Sequence, residues 1–146
     1  MIGAIGRGLL AGAIGTAAMT LSSTLEMRWR GRPPSLTPAR AAEAALDLEP
    51  MEDDEAEEEF SEAVHWIYGA AWGVPRLFID VLGIRGRNAD LLHFAAMWGT
   101  AMWMLPRLRV TPPPDEWGGT EIAIDALHHF VYALGAGAAY DLLKRV

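Results

Sequence analysis

Four apolar stretches without charged residues constrain the fold of this 146-residue chain more than any other feature. The first of them, Gly8 to Leu25, is 18 residues long. The other three are about 13 to 16 residues long before a charge appears, and each reaches about 20 residues, the length that a helix needs to cross a bilayer, when flanking positions are included. Those extensions include Arg76, Asp80, Asp90, Asp125 and Asp141. We therefore predict an all-α integral membrane four-helix bundle in one domain, with spans at about 5–26, 63–84, 89–108 and 122–143.

Two alternatives to membrane spans could also explain the apolar stretches. A basic residue followed by small apolar residues near the N-terminus is also typical of a cleaved secretory signal, but the first run is longer than the apolar region of such signals and more spans follow it. A soluble helical bundle with an apolar core is the second alternative. Trp29 beside Arg30 and Trp117 beside Glu116 lie at span ends, where interfacial aromatic side chains are expected, so they favour the membrane.

The acidic residues are concentrated between the first two spans. The segment from Glu43 to Glu62 holds 11 of the 19 acidic residues and no Lys or Arg. We expect a short helix that starts at Thr37, followed by an acidic loop over 43–60 that is mobile in its most charged part. No basic patch alternates with aromatic residues, so we predict no nucleic-acid partner. The chain contains no cysteine, which excludes thiolate metal sites and cysteine catalysis within it.

Two segments share a pattern that puts a histidine and a tyrosine one helical turn apart. Residues 64–73 read VHWIYGAAWG, and residues 128–137 read HHFVYALGAG. When His65 is aligned with His129, the tyrosines three positions later and the glycines eight positions later coincide. The first and third spans also share the letters GTA, so the bundle is predicted to consist of two tandem helical hairpins in a parallel repeat.

On a helical wheel, the polar and small residues of each span fall on one stripe. These stripes should face one another, because ionisable groups are costly in hydrocarbon. Depth along the spans divides the polar residues into two layers. The layer nearer the first and third loops comprises Glu26, Glu62, His65, Tyr68, Asp125, His128, His129 and Tyr132. The layer nearer the termini comprises Arg76, Asp80, Asp90, His93 and Asp141.

Three local features of the spans lead to packing predictions. Arg76 and Asp80 are spaced i, i+4, so we predict that they form a buried polar pair. Pro75 should kink the second span and free a carbonyl group beside that pair. Gly8 and Gly12 form a G-x-x-x-G motif, which permits close contact between helices.

The first layer also has a spacing that is used in metal proteins. Glu62 with His65 and Asp125 with His128 are carboxylate and histidine at i, i+3, as in four-helix carboxylate metal sites. The third span offers no carboxylate at that depth, so the set is incomplete. The alternative is that the acids stabilise helix starts and the histidines bond to neighbouring helices. The candidate ligands of a transition metal are Glu26, Glu62, His65, Asp125, His128 and His129.

Two further chemistries are consistent with the histidines. His65 and His129 on facing helices would suit a bis-histidine haem, although the bulky aromatic residues around them leave little room for a porphyrin. Chains of His, Asp and Tyr also occur in proton relays. The two polar layers are, however, separated by Trp72, Met97 and Ala136, without a continuous polar line between them.

The segment Gly8 to Met19, which reads GLLAGAIGTAAM, together with the later H-x-x-Y-G at His65, resembles small bacterial inner-membrane proteins of the YagU-like family. The resemblance covers the spans loosely and does not include the acidic segment. It implies a multi-pass protein of the bacterial inner membrane. It implies no catalytic residue.

We therefore predict a non-catalytic membrane protein that acts through packing, with the lipid bilayer as its surroundings and no cofactor. It would work as a homo-oligomer or as a subunit of a larger membrane complex. The alternative is a metal-binding or proton- or ion-handling membrane protein that uses the His, Tyr and acid layer. No hydrolase triad, phosphate loop or dinucleotide fingerprint is present in the sequence.

Overall fold

The computed structural model describes residues 3–145, and these residues form helices and connecting segments without a strand. The all-α prediction is therefore confirmed for this part of the chain. The elements are α1 (Ala4–Arg30), α2 (Thr37–Leu46), α3 (Asp54–Trp72), α4 (Val74–Val81), α5 (Gly86–Arg107) and α6 (Gly119–Leu143), with one turn of 3₁₀-helix at Pro114–Glu116.

Helix α1 is the centre of the fold. It packs against α6, α3 and α4, whereas α5 packs against α6 and α4, and α2 lies on α3. Helix α1 runs antiparallel to α3, since Gly8 meets Gly73 and Thr20 contacts His65. It also runs antiparallel to α6, since Gly15 meets Ala136 and Ser22 contacts His128. Two hairpins result, one made of α1 with α3 and α4, the other of α5 with α6.

The close approach of α1 to its neighbours depends on glycine. A Cβ atom on Gly12 would lie 2.7 Å from the carbonyl oxygen of Gly69, and one on Gly8 would lie 3.0 Å from that of Gly73. On the next turn, Gly15 faces Tyr132 of α6 in the same way. The G-x-x-x-G prediction is thus confirmed, because Gly8 and Gly12 are where the backbones of α1 and α3 meet.

The large and small side chains of α1 are placed in the opposite way to those of a water-soluble bundle, which buries its large apolar residues. The interior of α1 is made of small residues, and its outer surface is made of large apolar ones. The buried residues of α1 are Gly8, Ala11, Gly12, Gly15 and Thr16. The exposed large apolar residues of α1 are Ile5, Leu9, Leu10, Ile14, Leu21, Leu25 and Trp29.

Two of the described helices, α1 and α6, are long and apolar enough to cross a membrane. They contain the predicted first and last spans. The predicted span over 63–84 is divided between α3 and α4 at Gly73, where Pro75 in the first turn of α4 interrupts the helix. The predicted span over 89–108 lies in α5, which ends at Arg107. Four spans therefore remain a prediction, whereas two candidate spans are observed.

The acidic loop predicted over 43–60 is wrong in most of its length. The short helix begins at Thr37 as predicted and ends at Leu46, and α3 then begins at Asp54. The side chain of Asp53 caps α3 by accepting a hydrogen bond from the backbone N–H of Ala56 at 2.8 Å. Acidic residues in the first turn of a helix interact favourably with its dipole, so the charge run that suggested a mobile loop instead starts a helix.

Candidate functional site

An ion-pair network closes the bundle at the end nearer the loops before α2 and after α5. Glu26 on α1 accepts hydrogen bonds from Arg30 at 3.1 Å and from Arg32 at 2.9 Å. Arg30 also pairs with Glu121 at the start of α6. Glu26 is thus held between two guanidinium groups, and the network ties the end of α1 to the beginning of α6.

Below this network, histidines of α3 and α6 each bind a hydroxyl group of α1. His65 Nε2 lies 3.0 Å from Thr20 Oγ1, and His128 Nδ1 lies 2.8 Å from Ser22 Oγ. His128 Nε2 also lies 3.8 Å from Glu26 Oε2. The central helix therefore has one polar contact to each flanking helix at this depth.

The predicted metal ligands are not brought together. Glu62 is exposed, and Asp125 accepts a hydrogen bond from the indole of Trp98 at 2.8 Å. His129 donates from Nδ1 to the backbone carbonyl of Asp125 at 2.8 Å, one turn earlier on α6. Within residues 3–145, no three His, Asp or Glu side chains are grouped so that they could hold a metal ion. Of the six predicted ligands, one pair on different helices comes close: Glu26 on α1 and His128 on α6.

The two copies of the His-Tyr pattern have different environments. Tyr132 is fully buried, and its hydroxyl donates to the backbone carbonyl of Gly69 at 2.6 Å. Tyr68 is 38% exposed. The prediction that both tyrosines face inward is therefore wrong for Tyr68, and His128, rather than the aligned His129, is the residue of α6 that bonds to α1.

The repeated glycines of the pattern mark close contacts in both copies. Gly73 lies against the backbone of Gly8 and Gly12 on α1. Gly137 lies against the Asp90 carboxylate, in the space that a Cβ atom would occupy. Because glycine has no side chain, Gly73 allows α1 to come close to the α3–α4 junction, and Gly137 allows the Asp90 carboxylate to pack against α6.

The second polar layer is centred on Arg76, whose side chain is 3% exposed. Arg76 lies 3.1 Å from Asp90 and 3.7 Å from Asp141. The predicted Arg76–Asp80 pair is wrong, because Asp80 instead accepts hydrogen bonds from Lys144 at 2.6 Å and 2.7 Å. The tertiary fold thus supplies partners from α5 and α6 in place of the neighbour along α4.

His93 lies deeper than this ion pair and is completely buried. Its Nε2 atom is 2.8 Å from the backbone carbonyl oxygen of Trp72, the last residue of α3. Its ring packs edge-on against that of Tyr132, with 5.6 Å between the ring centroids. The helix break at Pro75 was predicted to free a carbonyl group, and the carbonyl of Trp72 at this break accepts the bond from His93.

Two features of the site were missed by the sequence reasoning. Thr16 is fully buried and bonds to the Gly12 carbonyl at 2.8 Å, so its hydroxyl group is satisfied within α1. The Trp98–Asp125 hydrogen bond joins α5 to α6. Thr16 lies in the repeated letters GTA, but that repeat does not indicate burial. Trp98 belongs to no repeated motif, and only the pairing of helices brings it to Asp125.

Comparisons with family models, with curated proteins and with solved structures found no match to this chain. The arrangement of its own residues therefore carries the functional argument. The buried side chains of Arg76, His93, His128 and Tyr132 bind an opposite charge, a carbonyl group or a hydroxyl group on a neighbouring helix, which is the arrangement expected of contacts that hold helices together.

Proposed function

We propose that the chain is a non-catalytic, multi-pass protein of the bacterial inner membrane, built as a four-span bundle. It acts as a homo-oligomer or as a subunit of a larger membrane complex. The second span consists of α3 after its acidic start together with α4, and the third consists of α5. The resemblance of the sequence to YagU-like inner-membrane proteins supports the proposed location.

The observation that carries the membrane proposal is the distribution of side chains over the bundle. Large apolar residues lie outside on α1 and also on α6, where Leu127, Leu134 and Leu142 are exposed, whereas the interior of α6 consists of Ala, Gly, His and Tyr. Each fully buried Leu or Ile stabilises a soluble fold by about 1.5–3 kcal/mol, so a water-soluble bundle would turn these residues inward. In a bilayer the same side chains are in contact with lipid, and small residues are suited to the contacts between helices.

The outer face of α5 supports the proposed role as a subunit. This helix contacts α4 and α6, and an exposed stripe along it carries Leu92, Ala95, Gly99 and Trp103. A Cβ atom on Gly99 would have no neighbouring atom within 4 Å. Small residues between larger apolar ones are typical of surfaces where membrane helices approach closely, so we expect a partner helix there.

Single cysteines test the four-span topology, and the absence of native cysteine removes any background. We expect Ser35→Cys and Glu116→Cys to react with an impermeant maleimide from one side of the membrane. Arg85→Cys and Arg145→Cys should react from the opposite side. All four positions are exposed, so access depends on the side rather than on burial.

The labelling pattern distinguishes the alternatives. If Arg85→Cys reacts from the same side as Ser35→Cys, then α3 with α4 does not cross and only α1 and α6 span the membrane. If all four positions react equally without permeabilisation, the chain is not an integral membrane protein.

The subunit role predicts a specific contact on α5. With a thiol-linked benzophenone in native membranes, we expect Gly99→Cys to form a protein adduct on illumination. Ala17→Cys, an equally small exposed site on α1, should yield only lipid adducts. Extraction into polymer nanodiscs should give a particle whose protein mass exceeds 15.9 kDa, the mass of one chain. A particle with one chain and no protein adduct from either site would contradict the proposal.

A further inference from the structure

We propose that Arg76, Asp90 and His93 form a hydrated proton-binding site that opens toward the membrane face carrying the chain termini, and that His93 takes up the proton. This inference depends on the membrane location proposed above and is independent of the proposed role as a subunit.

Three buried polar atoms identify the site. Arg76 Nη1, Asp90 Oδ1 and His93 Nδ1 are buried and have no hydrogen-bond partner among the described residues, although Arg76 Nη1 and Asp90 Oδ1 are within ion-pair distance. Asp90 and His93 lie on the same side of α5, three residues apart, and Arg76 reaches them from α4. A buried polar atom without a partner costs about 1–3 kcal/mol. We infer a bound water at these atoms, because a buried water typically makes about three hydrogen bonds and can accept from the guanidinium while it donates to the carboxylate and the imidazole.

The tautomer of His93 follows from its partner. A carbonyl oxygen only accepts hydrogen bonds, so Nε2 of His93 must carry the hydrogen that it donates to Trp72 at 2.8 Å. In the neutral ring Nδ1 is then unprotonated. This nitrogen is the buried atom without a partner, so it is the atom to which a proton adds, forming an imidazolium cation.

Side-chain exposure decreases step by step from the membrane face to this nitrogen. Asp141 and Lys144 are 49% and 41% exposed, Asp90 is 21% exposed and Arg76 is 3% exposed. His93 is fully buried. From this gradient of exposure we infer a hydrated funnel that begins at the exposed side chains of Asp141 and Lys144 and ends at His93.

Beyond His93 the funnel is closed. Met97, Tyr132 and Ala136 form a buried cluster, against which Met19 and Trp72 pack. The groups that lie near His93 from the surrounding helices are the Trp72 carbonyl of α3, Arg76 of α4 and Tyr132 of α6. Asp90 precedes His93 by three residues on α5. The site therefore exchanges protons with one side of the membrane.

A thiol at position 93 tests for water in the funnel. We expect His93→Cys to react with a charged, impermeant methanethiosulfonate from the side on which Arg145→Cys reacts, because a charged reagent enters only hydrated space and the reactive thiolate is disfavoured in apolar surroundings. Met97→Cys, one turn deeper on the same face of α5, is the matched control, since it also replaces a large buried side chain with a thiol. The rate at position 93 should exceed the rate at position 97 by about tenfold or more. Equal rates would overturn the proposal.

Proton uptake is measured on the native His93 side chain, so this experiment does not depend on the folding of the cysteine variants. In protein labelled with ¹⁵N-histidine, the ring signals of His93 should respond to pH, and His93→Gln identifies them. Asp90→Asn removes the neighbouring negative charge but leaves the Arg76 cation, so it should weaken proton binding at His93 by about tenfold. The same variant should leave the titration of His128 unchanged. His93 signals that stay constant with pH while those of the other histidines move would overturn the proposal.

Discussion

Replacement of Gly73 by Ala should lower the free energy of unfolding by about 3 kcal/mol, which is a large effect for a single added methyl group. The new Cβ atom would overlap the carbonyl oxygen of Gly8 and lie 2.5 Å from the nitrogen of Gly12. These are backbone atoms of α1, so no side-chain rotation relieves the contact and the helices must move apart. The backbone of Gly73 is in the ordinary right-handed region, with φ −68° and ψ −22°, so the effect comes from packing alone.

The measurement is equilibrium unfolding in detergent, followed by circular dichroism. Gly99→Ala is the matched control, because it adds the same methyl group to a helix where nothing lies within 4 Å. Its stability should stay unchanged or rise by up to about 1 kcal/mol, since Ala favours a helix over Gly. If both variants had the same stability, the close contact between α1 and the α3–α4 junction would be wrong.

Removal of the Asp90 carboxylate should be the most destabilising change to a charge, at about 3 kcal/mol. Asp90→Ala leaves the Arg76 guanidinium buried, with Asp141 at 3.7 Å as its remaining carboxylate partner among residues 3–145. Loss of both partners leaves no unbalanced charge, so the double variant Arg76→Met, Asp90→Ala should be more stable than Asp90→Ala alone. Equilibrium unfolding of the two single variants and the double variant gives the coupling energy of the pair.

The pair at the surface of the bundle is the control for this cycle. Lys144 and Asp80 are at hydrogen-bond distance, but the lysine is 41% exposed, so Lys144→Met should change stability by no more than about 1 kcal/mol. A result in which Asp90→Ala is no more harmful than Lys144→Met would contradict the burial of Arg76. Additive effects in the double variant would contradict direct pairing.

Sequence patterning predicted the features that depend on one helix at a time. The presence of α1 and α6, the start of the short helix at Thr37 and the interruption at Pro75 follow from apolar length and from the chemistry of proline and helix starts. The acidic run was misassigned for a related reason. Charge density alone favours a solvated loop, whereas the cap at Asp53 turns the same residues into the beginning of α3.

Pairings between helices were predicted less well. The i, i+4 rule gave Arg76 a partner on its own helix, yet guanidinium groups reach several ångströms and the nearest carboxylates come from α5 and α6. The repeat likewise suggested equal roles for Tyr68 and Tyr132. A shared motif fixes the local geometry of a helix but not what surrounds it, so Tyr132 is buried while Tyr68 is exposed.

The sequence by itself determined that this is an all-helical protein with a stripe of small and polar residues along its helices, because apolar length and helical periodicity are properties of consecutive residues. Only the tertiary structure decided which polar groups meet. It joined Arg76 to Asp90, directed His93 to the carbonyl freed at the helix break, and within residues 3–145 grouped no three of the predicted metal ligands. Those contacts depend on the rotation and spacing of whole helices. The glycines at positions 8, 12, 73 and 137 permit that spacing because they have no Cβ atom, which would overlap atoms of the neighbouring helix.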